Sequence, residues 1–138
     1  MADPRLDVAY DEIKAKYSSW KIDAATITYS AASAGGSAQV GLAVTTTSTA
    51  ETIALVGNNE FVLGKLIKVE ADGIATVQHK GVMTLPGGTS ASLTRGKAIM
   101  GDLLVAAKGY IQEVATQYTV MNGKIWDPAT TTAVVVKL

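Results

Sequence analysis

His79 is the only histidine in a chain of 138 residues that has no cysteine. One imidazole and no thiol exclude two-histidine and thiolate zinc sites. A Ser–His–acid triad would have to combine His79 with Asp72 or Asp102 and one of the many serines. None of those serines stands in G-x-S-x-G, the strained elbow that lifts a nucleophile above a sheet. Ser90 and Ser92 lie instead in a Gly/Ser/Thr stretch. In a regular strand His79 shares a face with Val77, Met83 and Leu85, the setting of a packed, hydrogen-bonded histidine. Gly87-Gly88 after Pro86 reads as a turn, because neither G-x-x-x-x-G-K-[ST] nor a strand–G-x-G-x-x-G–helix order is present. Asp72 and Asp127 fall in turn sequences, with Glu70 and Glu113 near strand ends. No pair of these carboxylates is set to flank a glycosidic bond, and no D-x-D-x-D-G loop offers calcium a cage. Trp20, Trp126 and Tyr110 have the shape of a sugar-stacking platform, and equally that of core or interface residues. The side chains point to binding, with no catalytic residue, metal or cofactor.

Any such residues need a scaffold, and the scaffold reads as β. The segment Val62–Leu85 carries two β-branched runs on either side of Asp72-Gly73, a dipeptide that accepts the positive φ angles of a two-residue hairpin turn. Ile27 and Tyr29, then Val40, Leu42 and Val44, alternate with small polar residues as strands do. Ser33–Ser37 between them reads as a flexible loop. The run Thr45–Thr49 fits an exposed strand or a loop equally well. Glu51–Val56 forms a further strand turned by Gly57-Asn58-Asn59, and Pro86-Gly87-Gly88 ends the ladder after the hairpin. Lys97–Ala107 is apolar but interrupted at Gly101-Asp102, as at a bulge or corner. Tyr110–Val114 follows Lys108-Gly109. Asn122-Gly123 joins Thr116–Met121 to Lys124–Trp126, Asp127-Pro128 turns again, and Thr132–Leu138 closes. About eight or nine short strands with such spacing belong to a sandwich or barrel, not to βα units.

The first twenty-odd residues differ. Asp3 and Pro4 suit a helix start. Leu6, Tyr10, Ile13, Tyr17 and Trp20 recur at steps of four and three, which predicts one helical stripe. Acids lead and lysines trail along it, as the helix dipole favours. The expected organisation is therefore a helical segment or arm over residues 1–23 and a β domain over 24–138. The stripe either completes the core of its own domain or docks in a neighbour's groove.

Charge narrows the partners. Twelve basic and twelve acidic residues cancel, and the lysines are scattered rather than clustered. Nucleic acid, which draws its affinity from clustered cations, is not expected. No apolar run is long enough to span a membrane, and residues 1–23 lack the apolar stretch of a signal peptide, so the chain is expected to be made and folded in the cytoplasm. Only 17% of residues are charged, and Thr, Ser, Ala and Gly supply much of the polar surface, a composition suited to a face that ends against another protein.

The run GKLIKVEADGIATVQHKGVMTLPGG, followed by LTRGKAIMGDLLVAAKGYIQEV, resembles small decoration or cement proteins of tailed-phage heads. Gly64, Leu66, Val69, Asp72-Gly73, Val77 and Gly81 carry the spacing, with Pro86-Gly87 and Gly101-Asp102 after it. The likeness spans roughly residues 40–138 and leaves out the N-terminal segment. It implies a β-rich homo-oligomer, dimer or trimer, that coats the outer surface of an assembled capsid, with the major capsid protein as partner and the virion as its place. The expected grip is the stripe Leu6, Tyr10, Ile13, Tyr17 and Trp20, with loops such as Ser33–Ser37 or Thr89–Thr94. Rival readings are another virion part (a tail-tube subunit or head-fibre base), a carbohydrate-binding module, and, last, a small trimeric β enzyme.

Overall fold

The structure is a computed structural model that describes residues 15–88, 93, 96–102, 108–114, 124–130 and 133–138. The central hairpin is present as β4 (Gly64–Val69) and β5 (Ile74–Lys80), paired antiparallel. Its turn differs from the expected one. The Glu70 N–H donates to the Ile74 carbonyl at 2.8 Å and the Gly73 N–H to the Glu70 carbonyl at 3.0 Å, which leaves a three-residue loop. Only Gly73 has positive φ, at +83°. Asp72 instead turns its carboxylate onto the Ile74 N–H at 3.1 Å. One left-handed residue plus a bulge matches the twist of the flanking strands as well as two left-handed residues would.

β1 (Lys16–Ile22), β2 (Ala43–Thr46) and β3 (Thr52–Leu55) complete a closed barrel with β4 and β5, in the order β1-β3-β2-β4-β5. The all-β class and the barrel are thus those expected. The helix is not, as far as the chain is described. Lys16–Ile22 is extended and pairs antiparallel with β5, Ser18 against Val77 and Trp20 against Ala75. β5 has an edge there to be filled, and its backbone groups decide the conformation where a stripe of period near 3.5 alone would favour a helix. Residues 16–22 of the segment expected as an arm are therefore a barrel stave. Leu6, Tyr10 and Ile13 lie outside the described residues.

The strand expected around Ile27 and Tyr29 is also corrected. Thr26 and Ile27 both donate their N–H to the Asp23 carbonyl, at 3.0 and 2.9 Å, and the Thr28 N–H goes to the Gln39 side chain at 3.1 Å. Local turns satisfy the backbone, and the fully buried Ile27 plugs the barrel from a connection. Ser33–Ser37, expected to be flexible, contains a 3-10 turn over Ala34–Gly36. The Gly36 N–H donates to Ser33 (3.0 Å), and the Gly36 carbonyl accepts from Ser30 (2.8 Å). Of the threonine run, Thr45 and Thr46 are in β2 and Thr47 begins the turn to β3.

Gly81, at φ +104°, is where the second apolar run of the hairpin leaves the barrel. β6 (Val82–Leu85) pairs with β10 (Ala133–Lys137), which pairs in turn with β9 (Lys124–Thr130). β7 (Ile99–Gly101) and β8 (Ile111–Glu113) form a two-stranded sheet. The turn expected at Asp127-Pro128 is absent: β9 runs through it, and irregular pairing with β10 between Ala133 and Val135 absorbs the proline on an edge strand. Leu103–Ala107, Thr116–Met121 and the Asn122-Gly123 turn lie outside the described residues.

These strands enclose two cores separated by one wall. Val44 pairs with Leu55 across β2 and β3, and both belong to the barrel cluster with Ile53, Leu66, Val69 and Val77. Ala43 and Val56, one residue away on each side, belong to the other cluster with Met83, Leu85, Ile99, Ile111 and Val136. Successive side chains on a strand point to opposite faces. The wall is buried on both faces for that reason, and Ile53–Val56 within it reads as a continuous apolar run rather than an alternation.

Candidate binding face around Trp20

Trp20 is opposite Ala75, a fully buried barrel residue, so both side chains share the inner face. The indole packs on the barrel core and its N–H donates to Ser18 Oγ at 2.6 Å. It stays only half-buried because β1 and β3 meet over a short stretch. Their parallel pairing is confined to Lys21 with Thr52 and Ile22 with Ile53. Below that seam the staves diverge, and a groove of about 390 Å³ opens, lined by Ser18, Ser19, Trp20, Lys21, Glu51 and Ile74. Glu51, held at φ +58°, sits at the rim with its carboxylate 3.9 Å from Lys21 Nζ. Both side chains are well exposed, so the pair contributes little to stability and leaves each charge accessible to a ligand. The site offers an aromatic surface, two hydroxyls and one charge of each sign.

Tyr17 and Trp20, placed together on the expected helical stripe, are separated by the strand. Three residues apart, they take opposite faces. Tyr17 points outward and is 56% exposed, the most exposed large apolar side chain among the described residues. Of the loops expected to grip, Ser33–Ser37 is described and Ser37 is buried in it. In Thr89–Thr94 only Leu93 is described, and it packs on the second core.

The residues weighed for chemistry stay apart. His79 is half-buried on β5, and its Nδ1 is buried without the hydrogen bond expected of it. Asp72 is exposed at the opposite end of β5, in the hairpin loop. Asp102 is buried in the other layer, its carboxylate packed over Gly88. Glu70 lies 3.3 Å from Lys68 on the surface. Among the described residues no three His, Asp or Glu side chains gather as metal ligands. Tyr110 is half-buried, and the side chain of Trp126 lies outside the described part. Two further residues matter here. Buried Gln78 donates its amide to the carbonyls of Lys80 (3.4 Å) and Val82 (3.2 Å), which clasps the chain around the Gly81 swivel. Its signal was a lone amide inside a β-branched run. Glu51 had no signal, since its place at the groove depends on where β1 lands.

No family model, curated protein or solved structure matches this chain. Among the described residues no helix is long and apolar enough to cross a membrane. The fold is that of an all-β protein with a closed five-stranded barrel.

Proposed function

We propose that the chain is a structural virion protein, a homo-oligomer that binds the outer surface of an assembled phage capsid and stiffens it. One observation carries this reading: Gly64, Gly73, Gly81 and Gly101, on which the resemblance partly rests, fall at joints of the fold. Gly64 is where β4 crosses closest to β5, Asp72-Gly73 is the hairpin loop, Gly81 turns the chain out of the barrel, and Gly101 packs backbone to backbone on Gly57. A body with two cores and one common wall is suited to bearing load, and many copies on a symmetric lattice bind with avidity even where each contact is modest. The major capsid protein is the partner this reading requires, and outward-facing Tyr17 is the described part of the grip.

Cosedimentation with assembled shells tests it. Tyr17→Ala is expected to weaken attachment by about tenfold with an unchanged β spectrum, since an exposed aromatic anchor is worth on the order of 1 kcal/mol or more. Trp20→Ala is expected to lower stability instead, by about 2 kcal/mol, because the indole packs on the barrel core. Wild-type protein that stays in the supernatant with every shell offered would sink the function. Unchanged attachment of Tyr17→Ala would remove that residue from the grip.

The groove beside Trp20 favours one second reading, a carbohydrate-binding module. An aromatic face bracketed by hydroxyls, an ammonium and a carboxylate is the furniture of a sugar subsite. In a Trp126→Phe background, glycan titration should quench Trp20 emission with a saturating curve. Flat titrations across neutral and acidic glycans would discard this alternative.

A further inference from the structure

The gap between β1 and β3 has a consequence for the backbone. The Ile22 N–H donates to Gly73 on the β5 side, at 3.2 Å, while the N–H groups of Lys21 and Asp23 turn the other way, to Glu51 and Ile53, both at 2.8 Å. Counting back along the strand, Ser18 and Trp20 face β5, and Tyr17 and Ser19 face the gap. The β3 side of β1 is paired only at Lys21 and Ile22, so among the described residues the N–H and C=O groups of Tyr17 and Ser19 have no strand beside them. Among the described residues this is an open sheet edge inside a barrel that is otherwise closed, and Lys16–Trp20 carries no proline to blunt it.

We propose that this edge pairs with the same edge of a second copy of the chain, antiparallel about a two-fold axis through Ser18. The spacing is self-complementary. Tyr17 of one copy and Ser19 of the other exchange two hydrogen bonds, and symmetry supplies two more. Serine meets serine at the axis, where the strands approach and bulk would be a hindrance. The charges agree with this register. Lys16 falls opposite the partner copy's tryptophan, and Lys21, paired with Thr52 of β3, lies beyond the new ladder, so no lysine faces a lysine across the pair. The incoming strand also brings Lys16 toward the exposed Glu51 at the groove rim of the other copy. A peptide of unrelated sequence could take the backbone bonds but would have no reason to match these charges. The tyrosine side chains stay outside the new ladder, so the dimer presents two copies of Tyr17. The interface does not depend on which surface the chain coats.

The test is the mass of the full chain by light scattering across a concentration series, with Ser19→Pro as the variant. Ser19 donates away from β5, so proline there removes an edge N–H without removing a barrel hydrogen bond. The expected result is a wild-type dimer and a folded variant whose dimer is weaker by roughly thirtyfold or more, two of four bonds being lost. Amide exchange on the wild type gives a readout that needs no variant: Tyr17 and Ser19 should exchange at least about tenfold more slowly in the dimer than on dilution to monomer. Glu51→Lys should weaken the dimer and Lys16→Glu added to it should restore it. A chain that stays monomeric at high concentration overturns the proposal. So does a dimer whose Tyr17 and Ser19 amides exchange freely.

Discussion

Gly64→Ala is expected to destabilise the protein by about 3 kcal/mol or more, a large fraction of the stability of a domain of this size. Local propensity argues the reverse. A glycine inside a strand gives up more chain entropy on folding than alanine does, and its φ here is not in the left-handed region, so the substitution would ordinarily stabilise by about 0.5–1 kcal/mol. Packing decides the sign. A Cβ at Gly64 would overlap the Gln78 carbonyl oxygen and stand 2.9 Å from both the Gln78 carbonyl carbon and the His79 Cα. All three are backbone atoms of the neighbouring stave, with no rotamer to yield. The barrel would have to open between β4 and β5 or lose Gln78, whose amide ties down the exit at Gly81. Urea denaturation with a shared m value measures the difference. A midpoint at or above that of the wild type would mean that the two strands do not approach this closely.

Leu85→Ala is expected to cost about 2–5 kcal/mol, and the more informative outcome is where the loss appears. Leu85 is fully buried in the second core, on β6, and belongs to a different cluster from Trp20. If the layers were independent, the barrel would keep its midpoint. The shared wall argues otherwise. The Val56 N–H donates to the Ala43 carbonyl at 3.1 Å, the Ala43 N–H to Gly109 at 2.9 Å, and the Gly109 N–H back to Val56 at 2.8 Å. The residues that face the second core are thus bonded into the strands that build the first. Trp20 emission, followed in a Trp126→Phe background, should shift by the same free energy as the circular dichroism signal, in one transition. A Trp20 midpoint that stays put while the ellipticity melts in two steps would show two separable units.

The two predictions mark the boundary between what can be read from residue types and what cannot. The loop at Asp72-Gly73, the strand after Glu51, the break at Gly101 and the all-β class follow from turn chemistry and β-branched runs, which act over a few neighbouring residues. The N-terminal stripe departs from its pattern where it is described, because steps of three and four satisfy a helix while Lys16–Ile22 supplies the hydrogen bonds that β5 lacks on one side. Ile27 misled for the opposite reason: apolar alternation resembles a strand, yet its backbone is satisfied by Asp23 and its side chain by the barrel.

The sequence by itself determined the class of fold and the position of its sharpest turn, since each depends on local conformational preference or on composition. The tertiary structure alone decided that Ala43 and Val44 serve different cores, that Tyr17 and Trp20 part company, and that Glu51 stands beside Trp20. These depend on which strand lies next to which, and strand neighbours are chosen by long-range hydrogen bonding and burial that no short window of residues contains.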